Sequence, residues 1–376
     1  MRKMNTHPSP RLRHILAAVA VAASATCSMS ATGPGGLEWT STEYDFGIMK
    51  EQEGPKTGEV KFVNKGSQPT LINSVRPSCG CTGASYTDGL IEPGDTATVT
   101  FTYNPHGRPG RFAKTVKVYT GENNDLTTIR ISGTVIGTTE TLQRDFPASI
   151  GNLRLSALEE KTGDMRYGTA RHLFIRLYNQ SMDTLCPKIV NPHKALSVGV
   201  NPASIPPGDV ATLGLYLNSR DTTQMGAIEL PIEIRVNEPE GDDATGKVTV
   251  SANIVPDTSS MTAEEIDNAP FAAVHPELID FGRIEKAGEQ RKFKFEIAND
   301  GKTEMQVLRV YSRQKGIKIK RHPAKVKAGG HARVEGVADT GSFPEGLFRI
   351  GVEVITDDPL HPARTVTIVG ENTVRK

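Results

Sequence analysis

Short runs of alternating apolar and polar residues recur along most of this chain. Val116-Lys-Val-Tyr, Ile232-Glu-Ile-Arg-Val and Ile350-Gly-Val-Glu-Val-Ile each put apolar side chains on one face and chiefly polar ones on the other. A period of two predicts half-buried β-strands. Gly, Pro, Asn and Asp break the runs at intervals of about 8–12 residues, the punctuation of a sandwich. Helical periodicity is scarce. Thr262-Ala-Glu-Glu265 has the form of a capping box and predicts one short helical turn.

The strands come in a repeated order. Tyr44-Asp-Phe-Gly47 opens one block and Ile279-Asp-Phe-Gly282 a later one. A strand ending in Asn follows at Asn64, Asn179 and Asn299, and a Gly-containing turn follows at Gly94, Gly208 and Gly329, after 30, 29 and 30 positions. A further glycine precedes a strand 16, 18 and 17 positions on, at Gly110, Gly226 and Gly346. Each block closes on an alternating strand: Thr128-Ile-Arg-Ile-Ser-Gly133, Lys247-Val-Thr-Val-Ser-Ala252 and Thr365-Val-Thr-Ile-Val-Gly370. Four landmarks in one order, three times over, predict three copies of one all-β unit. At about 100 residues, a copy has room for the seven strands of an immunoglobulin-like sandwich. The expected organisation is a leader over 1–30, sandwiches over 37–137, 138–255 and 271–376, and a linker over 256–270. In the Asn-x-Gly turns, Gly is expected to supply the positive φ of a tight connection.

The leader stands apart from this pattern. Arg2, Lys3, Arg11 and Arg13 precede an apolar run, Ile15 to Ala25, which small residues follow up to Ala31. That order is a secretory signal peptide, and its apolar core falls short of the ~20 residues a spanning helix needs. Cys27, after Ser-Ala-Thr, only loosely resembles a lipoprotein cleavage box and marks a lipid-anchored form as an alternative to plain export. No later segment is long and apolar enough for a transmembrane helix. The mature chain is expected in the periplasm, on the cell surface or secreted. Removing 1–30 leaves 40 basic against 43 acidic residues, which argues against a wholly basic nucleic-acid binder.

In the first copy, Tyr44-Asp-Phe-Gly-Ile48, Phe62-Val-Asn-Lys-Gly66, Pro77-Ser-Cys-Gly-Cys-Thr82, Ile91-Glu-Pro-Gly94 and Gly110-Arg-Phe-Ala-Lys-Thr115 resemble the bacterial family called domain of unknown function 1573. The resemblance covers residues 40–137. It implies an immunoglobulin-type sandwich of the hydin and major-sperm-protein kind, in exported proteins common among Bacteroidota, and it implies no activity. The third copy has Ser312-Arg-Gln-Lys-Gly316 where the cysteines would stand, and the middle copy keeps only the turn spacing.

Cys79 and Cys81 form the one pointed chemical constellation. Three readings stand open. The pair is a structural element of a turn, bonded or buried; or it is a redox or Cu(I) site, two thiolates suiting a soft monovalent ion; or it cross-links a partner. Zinc is poorly served, because it wants four ligands and His106 is the only histidine of that copy. Cys186 lies seven positions after Asn179, as Leu71 does after Asn64, and is expected to fill a core position. Eight cations and no acid lie from Arg309 to Lys327; Lys315, Lys318, Lys320, Arg321, Lys325 and Lys327 are the candidates for a basic face. Such a face is either a solvated strand surface or a site for an anionic envelope polymer or acidic partner. Nucleic acid is disfavoured by compartment and by the lack of interleaved aromatics. Trp39, the only tryptophan, leaves a carbohydrate-stacking platform poorly provided for. There is no Gly-x-Ser-x-Gly, His-Glu-x-x-His or phosphate-cradling Gly-x-x-x-x-Gly-Lys motif. The sequence therefore predicts a non-enzymatic binding or assembly module of the envelope without a cofactor, with a redox or Cu(I)-binding module as the alternative.

Overall fold

The computed structural model describes residues 31–374 apart from 191, 239–240 and 287. The expected signal peptide over 1–30, with Cys27, lies outside the described residues. Over the described residues the chain is all-β, and the strands form six sheets.

The sheets fall into three sets of two with matching strand order. In the first set, Ala31–Thr32, Leu37–Trp39, Lys56–Asn64, Thr96–Tyr103 and Thr82–Tyr86 lie side by side in that order, and Glu43–Lys50, Asp125–Ile136, Gly110–Thr120 and Ile72–Pro77 form the second sheet. The middle set repeats this with Ala148–Ile150, Leu153–Leu155, Ala170–Asn179, Val210–Asn218 and Leu196–Asn201 in one sheet. Its other sheet holds Glu159–Arg166, Ala244–Val255, Gly226–Val236 and Lys188–Val190. In the third set, Ala272–His275, Gln290–Asn299, His331–Asp339 and Ile317–Arg321 make one sheet. Leu278–Ile284, Ala363–Asn372, Gly346–Thr356, Met305–Tyr311 and Lys325–Val326 make the other. The expected capping box is present: Thr262 and Glu265 hold each other's backbone N–H at the start of the Ala263–Asp267 helix.

Packing divides the chain into two compact units. Among the described residues, one contains those up to 45 with 56–103 and 114–131, and the other contains 46–55, 104–113 and those from 132 on. In the first unit, Trp39 lies against Phe62 with ring centroids 4.6 Å apart, and Val60, Val99, Phe101, Val118 and Ile131 are buried as well. Two interiors of the second unit lie between paired sheets. One fills the space between the middle sheets with Ile175, Leu177, Leu213 and Leu215 from one side and Ile232, Ile234, Val248 and Val250 from the other. The other does the same in the third set with Phe295, Ile297 and Val334 opposite Ile350, Val352 and Val366.

The landmarks of the sequence have structural causes. Asn64, Asn179 and Asn299 are buried. Each Nδ2 donates to the carbonyl four residues on, Gln68, Asp183 or Thr303, and to that of Ile91, Ile205 or Val326 across the loop. Each Oδ1 accepts the N–H two residues on, from Gly66, Ser181 or Gly301. The backbone closes the same loop, with Gly94, Gly208 and Gly329 donating to the carbonyls of Asn64, Asn179 and Asn299. The Asn is thus a buried clamp. Positive φ belongs to Gly94, Gly208 and Gly329, whereas Gly66 and Gly301 are free of it, contrary to the expectation for the Asn-x-Gly turns.

The Asp-Phe-Gly landmark is a bulge. Leu278–Ile284 runs parallel to the last strand of its copy, and the register breaks between Asp280 and Arg283, around Gly282 at φ 61. The middle copy breaks at the same place, between Lys161 and Asp164, around Gly163 at φ 67. Gly47 also has φ 67. The middle copy therefore keeps this landmark as well, with Lys161 and Thr162 before the glycine where the others have Asp and Phe.

Candidate functional site

Cys79 and Cys81 are bonded to each other, with their Cα atoms 5.3 Å apart. They sit on the crossover from the Ile72–Pro77 strand of one sheet to the Thr82–Tyr86 strand of the other. Ser78 N–H donates to the carbonyl of Thr115 and its hydroxyl accepts the Thr115 N–H, which pins the crossover's start. The Thr82 hydroxyl lies 3.6 Å from the Cys79 sulfur and 3.9 Å from that of Cys81. Cys81 is buried and Cys79 half-buried.

The third copy makes the same crossover without sulfur. The Ser312 hydroxyl donates to Gly351 carbonyl and accepts the N–H of Gln314, whose side-chain amide donates to the carbonyl of Ser342. A hydrogen-bonded bend occupies the place of the Cys-Gly-Cys ring, so the geometry accounts for the disulfide as a staple of the crossover.

Beyond the staple the chain enters an edge. Thr82–Tyr86 pairs with Thr96–Tyr103 on one side only. Gly83, Ala84, Ser85 and Tyr86 are all exposed, and none carries a charge. Thr87 N–H donates to the carbonyl of Thr98, so by antiparallel alternation Gly83 and Ser85 turn their backbone groups inward and Ala84 and Tyr86 turn theirs outward. Sequence alternation alone misses this edge, because it shows which residues are apolar and says nothing of which strand ends a sheet.

The six candidate cations, Lys315, Lys318, Lys320, Arg321, Lys325 and Lys327, are all exposed. Lys318, Lys320 and Arg321 stand on the Ile317–Arg321 strand, the third copy's counterpart of the bare edge. Lys325 pairs with Glu304 at 2.8 Å, and that contact holds the Glu304 carboxyl below its ordinary pKa. The two remaining cations of the run serve the fold. Arg309 donates to the carbonyls of Met225 and Ala227 and lies 3.8 Å from the centroid of the Tyr311 ring, and Arg313 faces Glu353 at 3.9 Å.

Cys186 is a correction. The structure leaves it a free, exposed thiol. Leu185 beside it bridges Ile205 and is fully buried, so the core position is one residue earlier and alternation turns Cys186 outward. Among the described residues, no group of three or more His, Cys, Asp or Glu side chains is placed to hold a metal ion, and no helix is long and apolar enough to cross a membrane.

A search among curated proteins finds no match to this chain. Among solved structures, a protein of unknown function from Porphyromonas gingivalis W83 is similar at 19% identity, over 59% of this chain and 100% of that one, with a TM-score of 0.48. The ASH / PapD-like domain of human CEP192 is similar at 15% identity, over 35% of this chain and 99% of that one, with a TM-score of 0.24. Residues 37–135, the stretch that carries the Cys79–Cys81 staple, match the model of the family described as Protein of unknown function (DUF1573), in agreement with the resemblance in the sequence.

Proposed function

We propose that the mature protein is an exported, non-enzymatic module of the cell envelope whose tandem sandwiches hold a protein partner by strand addition. The observation that carries this reading is the uncharged Thr82–Tyr86 edge. Exposed edges invite pairing, and proteins ordinarily guard them with Lys, Pro or bulges. The third copy guards its equivalent edge with Lys318, Lys320 and Arg321, while the first copy leaves Ala84 and Tyr86 to present backbone donors and acceptors. Strand addition draws affinity from such main-chain bonds. The Cu(I) alternative has no comparable support, since a bonded Cys79–Cys81 pair offers no thiolate.

The test places a photo-crosslinking side chain at Ser85 and irradiates intact envelopes. A discrete protein adduct is expected, and Ala84→Pro, which removes an outward donor without touching the ladder, should reduce it about tenfold while the unfolding transition stays in place. An adduct indifferent to Ala84→Pro, or saturable turnover of an envelope substrate by purified protein, would overturn the reading.

A further inference from the structure

The three copies permit a comparison of one surface in three settings. The sheet that contains each Asn clamp buries one face and turns the other outward. Counting back seven and five positions from the clamp identifies equivalent outward residues. In the first copy these are Thr57 and Glu59, with Thr102 and Thr100 opposite. In the third they are Lys292 and Lys294, with Val337 and Glu335 opposite. Both faces are solvated in the ordinary way: Thr57 and Thr102 share a hydroxyl hydrogen bond, Glu59 lies 3.0 Å from Lys61, and Arg333 lies 4.0 Å from Glu296.

The middle copy departs from both. Its equivalent residues are His172 and Phe174, with Tyr216 and Gly214 opposite. Phe174 is 61% exposed and Tyr216 37%. The His172 and Phe174 rings are within 13° of parallel with centroids 6.5 Å apart, and His172 and Tyr216 lie 4.7 Å apart. Next to these rings the floor is flat: Gly214 faces Phe174 on one side and Gly199 on the other, and a Cβ at Gly199 would meet nothing. Ser197, Asn201 and Thr212 border the floor with a hydroxyl, an amide and a hydroxyl. Three rings gathered from two strands, beside two glycines, on the face where the sister copies carry hydroxyls and charges, form a platform that the core does not use.

We infer that this face binds a polysaccharide chain, with a sugar ring stacked on Phe174 and its neighbours grouped around Tyr216 and His172. A pyranose offers one face of C–H groups and an equator of hydroxyls. The C–H face suits the electron-rich face of an aromatic ring, and the hydroxyls suit the rim of Ser197, Asn201 and Thr212. The size of the patch argues against a protein in this place. Three partly exposed rings offer at most a few hundred Å², short of the roughly 800 Å² per partner that a stable protein interface covers. Stacking one or two sugar units needs no more than the rings themselves. The platform is in a different copy from the bare edge, and the inference is independent of strand addition there.

Native electrophoresis of the intact chain in gels cast with mixed-linkage β-glucan, mannan, dextran or alginate tests it. Retardation by at least one polymer is expected, with affinity reduced about tenfold in Phe174→Ala and in Tyr216→Ala. Both side chains are exposed, so the unfolding transition should stay in place. No retardation in any gel, or retardation that both variants keep, overturns the inference. Self-association that Phe174→Ala abolishes would overturn it as well, because it would assign the platform to a second copy of the chain.

Discussion

Asn64, Asn179 and Asn299 use both donors and the acceptor of the side-chain amide, and this explains why the landmarks keep their distance. Only an amide of this reach supplies two N–H groups and one C=O at the end of a short stem: Asp has no donor and Ser has one. The spacing of 29 or 30 positions to the following glycine is the contour of a loop whose ends the clamp joins. Spacing is legible in a sequence, whereas the bond that enforces it is not, so the Asn reads as a turn former when taken alone. Asn299→Ala would leave the buried carbonyl of Val326 without its donor and return the more exposed carbonyl of Thr303 to water, at a cost of about 1–3 kcal/mol. Urea unfolding of the intact chain should show that loss with an unchanged m-value, and a loss below about 0.5 kcal/mol would mean that the backbone bonds alone close the loop. Glycines facing aromatic rings show a similar hidden logic. Phe348 lies over Gly370 and Phe112 over Gly133, while the middle copy sets Ile228 opposite Ala252, an aliphatic side chain against a methyl where the others set a ring against a bare glycine.

In the middle and third copies the strands Glu159–Arg166 and Leu278–Ile284 run parallel to the last strand of their copy and slip register at a glycine. A bulge of this kind bends the edge and increases its twist, which discourages pairing along that side. The sequence showed the motif twice, through Asp-Phe-Gly, and hid it in the middle copy, because what the bulge requires is only the glycine's φ. Nothing lies within 4 Å of a Cβ built at Gly282, so substitution there tests the backbone conformation free of any clash. Gly282→Ala should cost roughly 1–2 kcal/mol, and Gly282→Asn less, since Asn tolerates the left-handed region better. Equal losses from the two variants, measured by thermal unfolding, would show that the position resists any side chain for some other reason. The crossovers make the complementary point: Cys79–Cys81 in one copy and Ser312 with Gln314 in another hold the same bend by unrelated chemistry. A motif search therefore sees only the cysteine version.

At the scale of the whole molecule, three repeats predict three bodies, yet packing assigns residues 46–55 and 104–113 of the first repeat to the same unit as everything from 132 onward. Within that unit Glu51 is buried, and its carboxylate accepts the N–H of Gly107, the N–H of Thr138 and the hydroxyl of Thr141. These partners are 56, 87 and 90 positions away, which is why no local pattern betrays the residue. Burial by itself would raise the pKa of this carboxyl, but the donors, with His106 close by, overcome that and hold it below the ordinary glutamate value. A carboxyl with a depressed folded pKa contributes stability that is complete above its unfolded pKa of about 4.3 and is lost as pH falls through the folded value. Glu51→Gln keeps the size and loses the charge, and its NH₂ turns against N–H groups that need an acceptor, so it should cost about 1–3 kcal/mol at neutral pH. The gap between parent and variant should then narrow once pH drops below about 4.3, as the parent's own carboxylate takes up a proton. A gap of the same size at pH 7 and well below that value would mean that shape rather than charge joins these segments, and that the carboxylate's three donors are incidental to the unit's stability.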